Sequence, residues 1–166
     1  MQPSVEPSLP RRLAKPLGRA VLIVFAVLAL LSMTDSAPNS LGLTGGKPAP
    51  CPDSPNCVSS AATDPRHGIA GFALDRSLGA AKEELKQAVA KLPRTKLISE
   101  SDNHLRFECR SFLFRFVDDV EFHLDDATKT IHVSSASRVG HSDFGVNRRR
   151  VEALRALLPE AMRSAP

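Results

Sequence analysis

The stretch FLFRFVDDVEFHLDDATKTIHVSSAS, Phe112–Ser137, decides how this chain folds. Its first half alternates. Phe112, Phe114, Phe116, Asp118, Val120, Phe122 and Leu124 occupy one parity; Leu113, Arg115, Val117, Asp119, Glu121 and His123 occupy the other. A period of two over that length predicts a long strand, Phe112 to Leu124, with one face toward a core. Asp125-Asp126-Ala127-Thr128 supplies turn chemistry. Thr130–Ser137 then returns with Ile131, Val133 and Ser135 on one face, so the two segments form an antiparallel hairpin.

Upstream, Leu105, Phe107 and Cys109 alternate with Arg106, Glu108 and Arg110, which predicts a half-buried strand after a turn at Ser101-Asp102-Asn103. Lys96–Glu100 is short and ambiguous. Earlier still, Leu78, Ala81, Leu85, Ala88, Val89 and Leu92 recur at helical spacing, with Asp75 or Ser77 as cap and Pro93 as stop. Downstream, Val151, Leu154, Leu157 and Leu158 predict a second helix from about Val146 to Leu158, capped by Asp143 or Asn147. This order implies an α+β fold: an antiparallel sheet of three or four strands with two helices packed on one face.

Two places break the local rules. Asp118 falls on the apolar parity of its strand, so it must be paired, hydrogen-bonded, or turned outward by a bulge at Asp118-Asp119. Arg148-Arg149-Arg150 puts three cations in the first turn of a helix, against the macrodipole. In a structural reading, Asp118, Asp119 and Glu121 neutralise Arg138 and Arg148–Arg150 and lock the helix to the sheet. In a binding reading, Arg138, Asp143, Asn147, Arg148, Arg149 and Arg150 surround a small anion, with Gly140 and Gly145 admitting backbone N–H groups. An enzymatic alternative, hydrolase-like, uses Asp118 or Asp119 as general base and Arg138 to steady an anion.

Other chemistries are less well supported. A four-residue turn sets His123 opposite His132 with Glu121 nearby, but cross-strand surface histidines are usually solvated, so no metal is favoured. No G-x-S-x-G surrounds a serine, and no G-x-G-x-x-G or Walker A sequence occurs, so no cofactor is expected.

The chain has 166 residues and is 42% hydrophobic and 24% charged, which fits one globular domain with tails and excludes a disordered or collagen-like chain. Ala20–Met33 is a fourteen-residue run without a charge, preceded by Arg11, Arg12, Lys15 and Arg19. Residues 1–34 thus read as a signal peptide or signal anchor, with the remainder outside the cytoplasm: periplasmic, secreted, or tethered to the inner membrane. Residues 35–50 read as a Pro/Gly/Ser-rich linker and 51–160 as the folded domain. Beyond residue 40 only 18 basic and 16 acidic residues remain, so the net charge gives no reason to expect nucleic acid. The expected partners are the membrane, through the N-terminal segment, and a small anionic ligand or an envelope protein.

Export exposes the three cysteines to oxidation. Cys51–Cys57, across CPDSPNC, is the preferred disulfide; Cys57–Cys109, Cys51–Cys109 and no bridge are the alternatives.

CPDSPNCVSS (Cys51–Ser60), FRFVDDVEF (Phe114–Phe122) and IHVSSASRVGHSDFGVNRRRVEALR (Ile131–Arg155) resemble the domain-of-unknown-function family 1499 over about residues 49–158. That resemblance implies an extracytoplasmic domain of one shared fold and supplies no activity. Ser134 and His141 depart from the family's usual Arg and Tyr, which thins any anion site built on that arginine.

Overall fold

The computed structural model describes residues 42–44, 47–113 and 115–165, together with Arg19, Ile23 and Ala26. The rest of the expected signal or anchor segment, most of the linker and Phe114 lie outside the described residues. Among the described residues no helix is long and apolar enough to cross a membrane. The chain divides into two compact units, Met1–Thr34 and Asp35–Pro166, and the sheet and its helices belong to the second.

In chain order the elements of this second unit are β1 (Leu43–Thr44), β2 (Lys47–Pro48), β3 (Cys57–Ser59), β4 (Phe72–Ala73), α1 (Leu78–Ala90), β5 (Thr95–Glu100), β6 (His104–Arg110), β7 (Val117–Asp125), β8 (Thr130–Ser137) and α2 (Val146–Leu157), then a 3-10 turn at Glu160–Met162. β1 and β2 form a small hairpin within the stretch read as linker. The main sheet has six strands in the order β3-β8-β7-β6-β5, with β4 also on β8, and these strand pairs are antiparallel. The fold is α+β as expected, but with six strands in place of three or four.

The additional strands are β3 and β4, which lie end to end along the outer edge of β8. Cys57, Val58 and Ser59 face Ala136, Ser135 and Ser134, whereas Phe72 and Ala73 face Ile131 and Thr130. Ser60 fills the gap between them: its N–H donates to Val133 O at 2.8 Å, and its hydroxyl oxygen accepts from Val133 N at 3.0 Å. Strands of two and three residues are too short to show a period, and so leave no alternation to read.

The strand expected from Phe112 begins only at Val117. β6 ends at Arg110, which pairs with Val117, and the described residues between them, 111–113 and 115–116, lie outside any strand. Ser111 closes this connection, with Ser111 N–H donating to Phe116 O and Phe116 N–H to Ser111 Oγ, both at 2.9 Å. Phe112 and Leu113 therefore stand in solvent, 81% and 63% exposed.

From β7 onward the expected parity holds. Val120, Phe122 and Leu124 join Leu105, Phe107 and Cys109 of β6, Ile131 and Val133 of β8, Leu85 and Val89 of α1, and Val151 and Leu154 of α2 in one buried cluster. Phe122 touches Phe72 and Phe107 at ring-centroid distances of 6.3 and 6.1 Å. Each such side chain contributes about 2 kcal/mol by leaving water. Ser77 caps α1 through its hydroxyl, which accepts from Ala80 N–H. Among the described residues every member of the cluster lies from Val58 to Met162, within the unit Asp35–Pro166.

Candidate functional site

Because strand side chains alternate, Asp118 and Asp119 leave β7 on opposite faces. No register shift interrupts either ladder there, so Asp118 stays on the core face and is paired rather than bulged out. Its Oδ2 accepts from Arg150 Nη2. Arg150 Nη1 also donates to Ser135 Oγ at 3.1 Å and to Asn147 Oδ1. Asn147, fully buried, accepts from Ser135 Oγ at 2.6 Å and donates through Nδ2 to Asn56 O and Ser137 Oγ, both at 3.0 Å. Asn56 Nδ2 reaches Gly140 O at 2.7 Å. These bonds join α2, β8, β7 and the disulfide loop beneath the helix.

On the outer face Asp119, with no exposed surface, accepts from Arg106 Nη2 at 2.9 Å and from Arg138 Nε at 2.8 Å. Arg138 also reaches Glu108, whose other oxygen takes Arg110 Nη2 at 3.0 Å. The hydrogen bond to Asp119 raises the Arg138 pKa above its ordinary value, burial opposes that, and the charges of Asp119 and Glu108 reinforce it. Glu121 does not join this group. It accepts from Gly42 N–H at 2.6 Å, fastening the segment before β1 to the sheet, and lies 3.5 Å from His104 Nε2.

His123 and His132 are opposite each other, as the hairpin register predicts, with rings stacked at 6.4 Å. β6 adds His104 opposite His123, making a row across three strands. Among the described residues, His104 Nε2, His123 Nδ1 and Ser134 Oγ are buried without a hydrogen-bond partner. Among the described residues no group of three or more His, Cys, Asp or Glu is placed to hold a metal ion.

The three consecutive arginines in the first turn of α2 diverge. Arg148 Nη2 donates to Arg66 O at 2.9 Å, Arg149 Nη1 to Phe144 O at 2.8 Å, and Arg150 enters the polar cluster on the core face. Successive helix residues point about 100° apart, so adjacency in sequence does not bring their side chains to one point. Asp143 occupies the helix N-terminus, accepting from Gly145 N–H at 2.9 Å and Asn147 N–H at 2.7 Å. Gly145 is needed there: its φ is +76°, and an added Cβ would lie 3.1 Å from Arg149 Nη1.

Cys51 and Cys57 form the preferred disulfide, with Cα atoms 5.6 Å apart. Beside it a cavity of about 390 Å³ opens between the β1–β2 hairpin and residues 61–67. His67, which carried no role in the sequence, is buried at its edge, with Nδ1 3.2 Å from Asp64 Oδ2 and Nε2 3.3 Å from Ser54 O. Both ring nitrogens are engaged, so the imidazole staples two loops together. Asn56 was missed in the same way, since single polar residues in loops carry no period. Cys109 is a buried free thiol whose pKa is pushed up to about 11, chiefly by burial, with the charge of Arg150 opposing.

No curated protein matches the chain. The family described as "Protein of unknown function (DUF1499)" matches residues 48–158, a span holding the sheet, both helices and both ionic clusters. This chain belongs to the DUF1499 family.

Proposed function

We propose that this is an exported or membrane-anchored envelope protein whose folded domain serves as a binding or structural module without turnover chemistry of its own. The observation that carries this reading is where the charged side chains point. A general base needs a lone pair aimed at substrate, whereas Asp118 Oδ2 and both oxygens of Asp119 face guanidinium groups. An anion cradle needs convergent donors, whereas Arg148, Arg149 and Arg150 run to three separate places. The envelope setting is supported by the basic and apolar N-terminal segment and by a disulfide of the kind that persists in oxidising compartments. Its partner is then an envelope protein or a small anion met outside the ionic clusters.

Two measurements test this. Residues 1–50 fused to a phosphatase that is active only outside the cytoplasm should give activity; an inactive fusion overturns the envelope setting. Native mass spectra of the protein purified from the envelope should show a reproducible bound mass or a companion chain. Hydrolysis of any panel substrate that Asp119→Asn abolishes, with the fold intact, overturns the non-catalytic reading.

A further inference from the structure

One end of the sheet differs from the rest of the surface. The pairs Arg110↔Val117 and Asp118↔Ser137 place the β6–β7 loop and the β8–α2 loop at the same end, and the hydrogen bond from Arg110 N–H to Arg94 O brings the start of β5 there too. That end displays Phe112, Leu113 and Phe144 at 81%, 63% and 86% exposure. These are large apolar groups held out by built loops. Phe144 sits in the left-handed region at φ +52°, between Asp143, whose carboxylate fixes the following N–H groups, and Gly145. Arg94 and Arg115 are also left-handed, so three of the four non-glycine residues with positive φ among the described residues cluster here. Such backbone is costly and persists where the surroundings impose it.

The charge at this end is predominantly positive. Arg94, Arg115 and Arg149 are exposed around the apolar tips, and the Arg94 guanidinium lies 5.5 Å from the centre of the Phe112 ring. The nearby acids Glu108, Asp118 and Asp119 are buried in their pairs, Asp143 is turned onto backbone N–H groups, and Asp53 in the disulfide loop is the exposed acid. The opposite end exposes Asp102 and an Asp126–Lys129 ion pair in its turns. Apolar tips ringed by arginine match a surface that is oily below and negative above.

We propose that this end of the domain docks on an anionic lipid bilayer, with Phe112, Leu113 and Phe144 entering the interface and Arg94, Arg115 and Arg149 facing the headgroups. The inference rests on the envelope reading for the presence of a bilayer and adds what the domain touches there. The two fail separately: the phosphatase fusion tests export alone, and vesicle sedimentation tests docking alone.

Residues 35–166, a compact unit that holds every described member of the core cluster, are sedimented with vesicles of phosphatidylcholine and with vesicles in which about one lipid in three is phosphatidylglycerol. Binding to the anionic vesicles should be at least about tenfold tighter and should weaken with salt. Phe112→Ser with Phe144→Ser should weaken it about tenfold more, with an unchanged circular dichroism spectrum. Leu113→Asp and Arg115→Glu are independent single variants expected to act in the same direction. Equal partition onto both vesicles, no binding to either, or binding indifferent to these substitutions overturns the proposal. A dimer in solution that the same substitutions dissolve overturns it in favour of a second copy of the chain.

Discussion

On the core face of β7, Asp118 meets one guanidinium, and the rest of that cluster is neutral: Ser135, Ser137, Asn56 and Asn147. On the outer face, Asp119 shares Arg138 with Glu108 and takes Arg106 as well. The first arrangement fixes where a helix sits, because amide and hydroxyl geometry tolerates little displacement. The second laces β6, β7 and β8 together by charge, reinforcing ladders that already exist. Two carboxylates adjacent in sequence thus serve different levels of the structure, one tertiary packing and the other the sheet itself.

Removing a guanidinium from each face separates these roles. Arg138→Ala should have the largest effect, about 4 kcal/mol in denaturant unfolding, because it leaves a fully buried carboxylate short of a partner. Arg150→Ala should cost about 3 kcal/mol. Most of that loss should return in the double variant Asp118→Leu with Arg150→Met, since an apolar pair needs no compensating charge. If Arg150→Ala proves the more damaging, the neutral hydroxyls and amides contribute more than the charges do, and the comparison reverses.

A smaller difference concerns pH. Burial holds the His123 imidazole below its ordinary pKa, Asp125 opposes this, and His104 adds to it. Below about pH 6.5 the unfolded chain therefore takes up a proton that the folded chain resists, and stability falls as pH drops toward the folded value. His123→Gln should flatten the stability profile below about pH 6.5, measured as the change in urea midpoint, while leaving neutral stability nearly unchanged. The smallest effect belongs to the core face. Cys109, its thiol pKa pushed up to about 11, should resist alkylation at neutral pH in the folded protein and react only on unfolding.

Much of the fold was legible because its centre obeys period two. The parity of Val120, Phe122 and Leu124 identified the core face, and the same parity marked Asp118 as a residue in need of a partner. The partner was not legible in detail. Arg148, Arg149 and Arg150 form one block in sequence, yet helical geometry sends them to a loop, a carbonyl and the sheet. Phe112 and Phe116 imitate a strand, and only the end of β6 at Arg110 limits the pairing. His67 and Asn56 act through single contacts between loops, which no pattern along the chain announces.

The placement of β3 and β4 against β8 also orders events in time. Residues 57–59 and 72–73 leave the ribosome early, but the strand that completes them ends at Ser137. At ordinary rates of synthesis they wait about ten seconds with their backbone groups unpaired. The meander from β5 to β8 forms from neighbours and needs no such delay. The first edge to be made is thus the last to be satisfied, and a chain stopped before residue 130 presents that edge to whatever is nearby.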